Sequence, residues 1–180
     1  MVSKSDGGLL RFFLSAGRLK SEPRRGWVLK LRMQNPESVA DHSYRVALMA
    51  MVYCDSRGLD AEKAVKMALL HDLPEALVGD SIPGERAPKK KRAMEWAAMR
   101  SLLKDLPRSV AKEYLSVWRE FEDQASPEAE LVRQLDKVEL AIQAHEYKRN
   151  DPANDVEEFF RSARRGVVDP ELIGVIDSVA

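Results

Sequence analysis

Ser126-Pro127-Glu128-Ala129-Glu130-Leu131-Val132-Arg133-Gln134-Leu135-Asp136 opens the longest helical pattern in this chain. Serine suits the N-cap, proline the first turn, and an early acid complements the helix dipole. Apolar residues then recur at helical spacing to about Lys148. One residue on the apolar face is out of character. Asp136 has Val132 four residues before it and Leu140 four after, so its carboxylate shares the face that should bury, while Arg133 and Lys137 point elsewhere. An ionised carboxylate there is costly unless it is paired or bound to a metal. A salt bridge to an arginine on another helix and a metal ligand are the two accounts open to it.

The same period extends outward in both directions, and no stretch alternates with period two. A first helix is expected from about Leu9 to Leu19. Lys20 to Gln34, interrupted by Pro23 and Gly26, reads as mostly loop. Ser38 and Asp41 form an acidic capping box for a helix running through Val46, Met49 and Tyr53 to about Ser56, with Gly58 as its stop. Asp60 caps Ala61 to about Leu70, and Pro74 limits its continuation. Gly79 to Pro88 is the longest irregular loop. Lys89–Leu103 and Ser109–Glu122 read as helices. Past the long helix, Asn154 or Asp155 caps one that ends at Gly166, and Asp169-Pro170 starts the last. The expected architecture is all-α, one domain over residues 1–180, with a site core over about 36–140.

Twenty-nine basic and 29 acidic residues give a net charge of zero, which argues against a dedicated binder of nucleic-acid polymers or acidic membranes. The lone cysteine, Cys54, cannot form an internal disulfide and suits a reducing cytoplasm; it reads as a small core residue. The stretch Met1 to Gly8 has no apolar segment behind a basic one. Nothing later approaches the roughly 18 apolar residues of a membrane span. A soluble, cytoplasmic protein is expected.

Two histidines repeat the anomaly of Asp136. His42, in Pro36-Glu37-Ser38-Val39-Ala40-Asp41-His42-Ser43, shares a stripe with Val39, Val46 and Met49. His71 follows Met67 and Ala68 at helical spacing and opens His71-Asp72-Leu73-Pro74-Glu75. Imidazole nitrogens and carboxylate oxygens converging from separate stretches of chain are what a borderline divalent ion needs. His42, His71, Asp72 and Asp136 can supply four such ligands. Such a set leaves positions open for water and substrate, which separates a catalytic site from a closed structural one. Glu75, four residues after His71, and Asp80, after Gly79, can act on water or a leaving group. The third histidine, His145, neighbours charged residues and reads as structural, and Lys89-Lys90-Lys91-Arg92 reads as a solvated helix start.

In this order and in a helical chain, His42, His71-Asp72 and Asp136 resemble the HD-domain superfamily of metal-dependent phosphohydrolases. Asn35-Pro36-Glu37-Ser38-Val39-Ala40-Asp41-His42-Ser43 and His71-Asp72-Leu73-Pro74-Glu75-Ala76-Leu77-Val78-Gly79-Asp80 are similar to its 5′-deoxynucleotidase (YfbR-like) branch. Arg24-Arg25-Gly26-Trp27 resembles that branch's early Arg/Trp element and Gln134-Leu135-Asp136 its late aspartate, so the likeness covers roughly residues 10 to 150. It implies hydrolysis of deoxyribonucleoside 5′-monophosphates. It further implies a cobalt, manganese or magnesium ion on the four ligands, and a homodimer. By resemblance, Glu75 and Asp80 assist the water or a second ion, and Trp27 with Arg24 or Arg25 holds the nucleotide. Trp27 would leave no room for a ribose 2′-hydroxyl. Two departures stand out. Gly26 separates the arginines from Trp27, leaving both eligible, and Ser81 precedes Ile82 where some relatives have isoleucine directly after the aspartate. Trp27 can also be read as a core anchor.

The rival readings are an HD phosphohydrolase acting on a nucleoside triphosphate or an alarmone, and a non-catalytic nucleotide-sensing module. Ala76 stands where alarmone hydrolases carry a second acid, and the Gly-Tyr-Pro element of cyclic-dinucleotide cleavers is absent. An intact Glu75 and Asp80 count against a module that has lost catalysis.

Overall fold

Local signals set most helix boundaries. A computed structural model describes residues 4–180; Met1, Val2 and Ser3 of the opening stretch lie outside it. Its helices are α1 (Lys4–Ala16), α2 (Arg25–Leu31), α3 (Val39–Arg57), α4 (Ala61–Leu70), α5 (Glu75–Val78), α6 (Pro88–Leu103), α7 (Arg108–Asp123), α8 (Pro127–Asn150), α9 (Glu157–Arg165) and α10 (Pro170–Val179). Among the described residues there is no strand beyond one isolated antiparallel bridge between Pro23 and Ser38. The all-α, single-domain expectation holds.

At the start of α3, Ser38 Oγ accepts from the Asp41 N–H and the Asp41 carboxylate accepts from the Ser38 N–H, a reciprocal box. Gly58 ends the helix at φ 68°, a left-handed turn that glycine adopts without strain. Asp60, Ser126 and Asp169 cap α4, α8 and α10. His71 is the C-cap of α4, and Pro74 precedes the one-turn α5, so His71-Asp72 occupies the corner that the proline dictates.

The expectation that residues 20–34 are mostly loop is corrected. Gly17–Ser21 form a 3-10 turn and Arg25–Leu31 form α2. Pro23 lies outside the helix, where its missing N–H costs nothing, and Gly26 falls in the first turn. Burial then fixes the segment: Trp27 is 1% exposed, stacked on Phe159 at 4.0 Å and edge-on to Tyr147 at 5.0 Å. The approach to α2 is stitched to α3 by the Arg24 N–H donating to Glu37 O and the Val39 N–H to Glu22 O.

Helix α8 runs through the middle, touching α3, α4, α7, α9 and α10. Its Val132, Leu135, Val138, Ala141 and Ala144 are fully buried, packed with Val46 and Cys54 of α3 and Met67 of α4 in one core. His145 Nδ1 reaches Val179 O at 2.7 Å and ties α8 to α10, a structural place as expected. Among the described residues no helix is long and apolar enough to cross a membrane.

Candidate active site

Three helices deliver the polar residues that their apolar faces should not carry. His42 comes from α3, His71 and Asp72 from the corner after α4, and Asp136 from the middle of α8. One ligand-capable atom from each of His42, His71 and Asp72 lies within 4.8 Å of the other two. His71 Nε2 is 3.0 Å from Asp72 Oδ2, and His42 Nε2 is 3.2 Å from Asp136 Oδ1 and 3.8 Å from Asp72 Oδ2. The structure brings all four together.

Each histidine is gripped from behind. His71 Nδ1 lies 2.7 Å from the Ala68 carbonyl, and His42 Nδ1 lies 2.6 Å from Glu139 Oε2. Carbonyl and carboxylate oxygens only accept, so both Nδ1 atoms carry the proton. Both Nε2 atoms are buried without a hydrogen-bond partner, and both face the carboxylates. Two orphaned imidazole nitrogens beside two aspartates make a donor set that a divalent cation fits. The electrostatics agree. Burial and Arg24 press the His42 pKa down, but the Asp136 and Glu139 carboxylates outweigh them and lift it to about 9. Burial alone would raise Asp72, yet His71, Arg24 and His42 hold it below its ordinary range. The centre favours positive charge.

Arg24 supplies part of that charge. Its guanidinium lies 3.1 Å from Asp72 and 3.8 Å from Asp136, so the arginine partner foreseen for Asp136 is present beside the histidine. Arg25 is turned away, 2.6 Å from Glu85, because side chains at the start of α2 diverge by about 100° per residue. Of the two arginines, only Arg24 lines the cavity of about 200 Å³ at the cluster. Trp27 is a wall of that cavity rather than a free plate: Phe159 stacks on it, Tyr147 meets it in a T-shaped contact, and its Nε1–H donates to Glu37 at 2.8 Å.

Glu75 is 5% exposed, with Oε2 lacking any partner. Burial first, then Asp72 and Asp80, push its pKa up to about 10. Asp80 accepts from the backbone N–H groups of Arg25 and Ser81, both at 2.6 Å, so it clamps the start of α2 against the loop after α5.

Sequence reasoning missed four neighbours. Glu139 sits one turn beyond Asp136, and that spacing was the available signal. Phe159 closes the wall from α9. Lys137, read as pointing elsewhere, lies 2.8 Å from Asp136 and lines the cavity. Lys91 also lines it, half-buried, while Lys89, Lys90 and Arg92 of the same run are exposed as expected. A larger groove of about 480 Å³ between α6 and α7, around Trp96 and Trp118, lies outside the cluster.

The HD domain family matches residues 16–171 of this sequence. The chain belongs to the HD-domain family. It is 40% identical to the mouse (Mus musculus) 5′-deoxynucleotidase HDDC2 over 98% of its own length and 89% of that protein. The human (Homo sapiens) protein of the same name is 40% identical over 95% of this chain and 84% of that one. Its structure is similar to that of a conserved hypothetical protein from Pyrococcus furiosus, with a TM-score of 0.77 and 33% identity, covering 94% of this chain and 98% of the other. In this HD-domain chain, α3, α4 and α8 carry the histidine–aspartate cluster, and α2 and α9 close the cavity beside it.

Proposed function

We propose that this chain hydrolyses deoxyribonucleoside 5′-monophosphates to deoxynucleoside and phosphate, using a divalent ion held by His42, His71, Asp72 and Asp136. The observation that carries the metal part is the pair of orphaned Nε2 atoms facing Asp72 and Asp136. The substrate class draws on the 40% identity to relatives named 5′-deoxynucleotidase. When bound, such an ion offsets phosphate charge and lowers the pKa of its water toward neutrality.

The chain's own residues do the rest. Arg24, with its guanidinium fixed between two carboxylates, is the arm that takes phosphate oxygens in bidentate fashion. Lys91 and Lys137 add positive charge around the same cavity. Trp27 and Phe159 form the apolar wall against which the sugar rests, and an indole stacked on Phe159 and buried to 1% exposure does not yield to a 2′-hydroxyl. Water adds to phosphorus as the bond to the 5′-oxygen breaks; Glu75, whose pKa burial raises, gives that oxygen its proton and takes one back from the water that has added. Asp80 keeps Arg24 in place by holding the first N–H of α2.

Phosphate release from a panel of nucleotides with cobalt, manganese or magnesium tests the reading. Release from deoxymonophosphates, at least about tenfold faster than from ribomonophosphates, is expected. This is the range that one steric contact commands. No release from any deoxymonophosphate would sink it, and release from triphosphates alone would favour the rival HD chemistry.

A homodimer and a cytoplasmic location complete the proposal. Tyr44, Leu48, Met51 and Val52 form an exposed apolar stripe on α3 at helical spacing, a self-complementary surface for a twofold pair. Sedimentation equilibrium is expected to give a dimer mass that Leu48→Glu reduces to the monomer; a wild-type monomer refutes it. Cys54, a free buried thiol, supports the reducing compartment.

A further inference from the structure

Glu139 is an acid on the buried face of α8, fully inaccessible to solvent. A buried carboxylate is tolerated only where something specific offsets its lost hydration. The arginine beside it is Arg45, whose Nε stands 3.6 Å from Glu139 Oε1. Arg45 spends its hydrogen bonds elsewhere, donating Nη2–H to Gln143 and Glu146, both at 2.9 Å. Glu139 Oε1 has no hydrogen-bond partner, and Oε2 is 2.6 Å from His42 Nδ1. The one short contact of this carboxylate is therefore with the histidine, itself 0% exposed. Glu37 borders the pair, accepting from Trp27 Nε1–H while its own N–H donates to Tyr147 Oη, so the cavity wall and the support of His42 lean on each other.

We propose that Glu139 is the positioning residue for His42: it keeps the proton on Nδ1, fixes the ring and leaves Nε2 presented to the divalent ion beside Asp72 and Asp136. The inference rests on reading His42 as a ligand. A carboxylate behind a ligating imidazole fixes its tautomer, makes it a stronger donor, and typically carries about 10–100-fold of metal affinity.

Calorimetric titration of the full chain with manganese or cobalt tests this without relying on turnover. Glu139→Gln keeps an acceptor of the same size but removes the charge; Glu139→Leu removes both. Metal affinity is expected to fall about 10–100-fold in Glu139→Leu and by a smaller factor in Glu139→Gln. Long-range nitrogen-15 spectra of the zinc-loaded Glu139→Gln protein are expected to keep the His42 Nδ1 proton. Should Glu139→Leu fail to fold, the Glu139→Gln affinity decides. Wild-type metal affinity in folded Glu139→Gln and Glu139→Leu, or in Glu139→Gln alone where Leu does not fold, overturns the proposal. His42→Ala separates the two readings. If it loses the metal while the Glu139 variants do not, only the positioning role falls; if it binds as the wild type does, the ligand assignment itself falls.

Discussion

Asp136→Ala is expected to remove the divalent ion and the activity together. Its Oδ1 is 3.2 Å from His42 Nε2, and the carboxyl is held well below its ordinary pKa. Burial opposes that shift, but Lys137, His42 and Arg24 outweigh it. The group is ionised at any working pH and faces an imidazole nitrogen that has no hydrogen-bond partner. Removing a ligand should cost more than removing a ligand's support, so the metal dissociation constant should rise by more than about 100-fold. Calorimetry and elemental analysis of the dialysed variant read the metal, and phosphate release reads the activity. The competing account is that Asp136 only balances Arg24, 3.8 Å away. Under that account the variant keeps its metal and loses affinity for the nucleotide alone. Full metal content in Asp136→Ala therefore removes the residue from the ligand set.

The parts legible in the sequence are those decided within one helix. The α3 boundaries follow from Ser38, Asp41 and Gly58, and the α8 start from Ser126-Pro127, because capping chemistry is local. The inward direction of His42, His71 and Asp136 follows from their apolar neighbours at helical spacing, so their convergence was readable as a polar defect on three faces. Residues 20–34 were misread because Pro23 and Gly26 look like breaks, whereas the helix starts after the first and tolerates the second. A side chain at Gly26 would only come to 3.6 Å from Phe159. Trp27 is buried by residues more than a hundred positions away, which no local pattern reveals. Lys91 escaped for a similar reason. Within a run of four cations its neighbours are solvated, and only the way α6 crosses the site brings Lys91, paired with Glu95 at 3.1 Å, to the cavity that Asp72 and Glu75 line. Glu139 was one turn from Asp136, but its meaning depends on α3 docking His42 against it.

Glu75→Gln is expected to separate chemistry from metal binding. Glu75 lines the cavity with a buried, unpartnered Oε2, and its pKa of about 10 reflects burial first and the Asp72 and Asp80 charges second, with Arg24 and Lys91 opposing. A general acid must hold its proton until the leaving oxygen needs it, and this environment keeps the carboxyl protonated at neutral pH. Glutamine preserves shape and polarity but cannot transfer the proton. The turnover number should fall by about 10²–10⁴-fold, with metal affinity and KM within about threefold of the wild type. Wild-type turnover should decline as pH rises through the acid's pKa, and that limb should vanish in the variant. Stability supplies an independent check. A carboxyl whose folded pKa is raised binds its proton more tightly in the native state. Native stability therefore falls as pH rises from the unfolded value near 4.5 toward about 10. Melting curves of chelator-treated protein should show Glu75→Gln gaining on the wild type across that window, the mark of a group kept for function at the expense of the fold. If Glu75→Gln loses its metal in step with its turnover, Glu75 is a ligand. If turnover stays within about threefold of the wild type, the acid lies elsewhere and the protonated carboxyl has no part in bond cleavage.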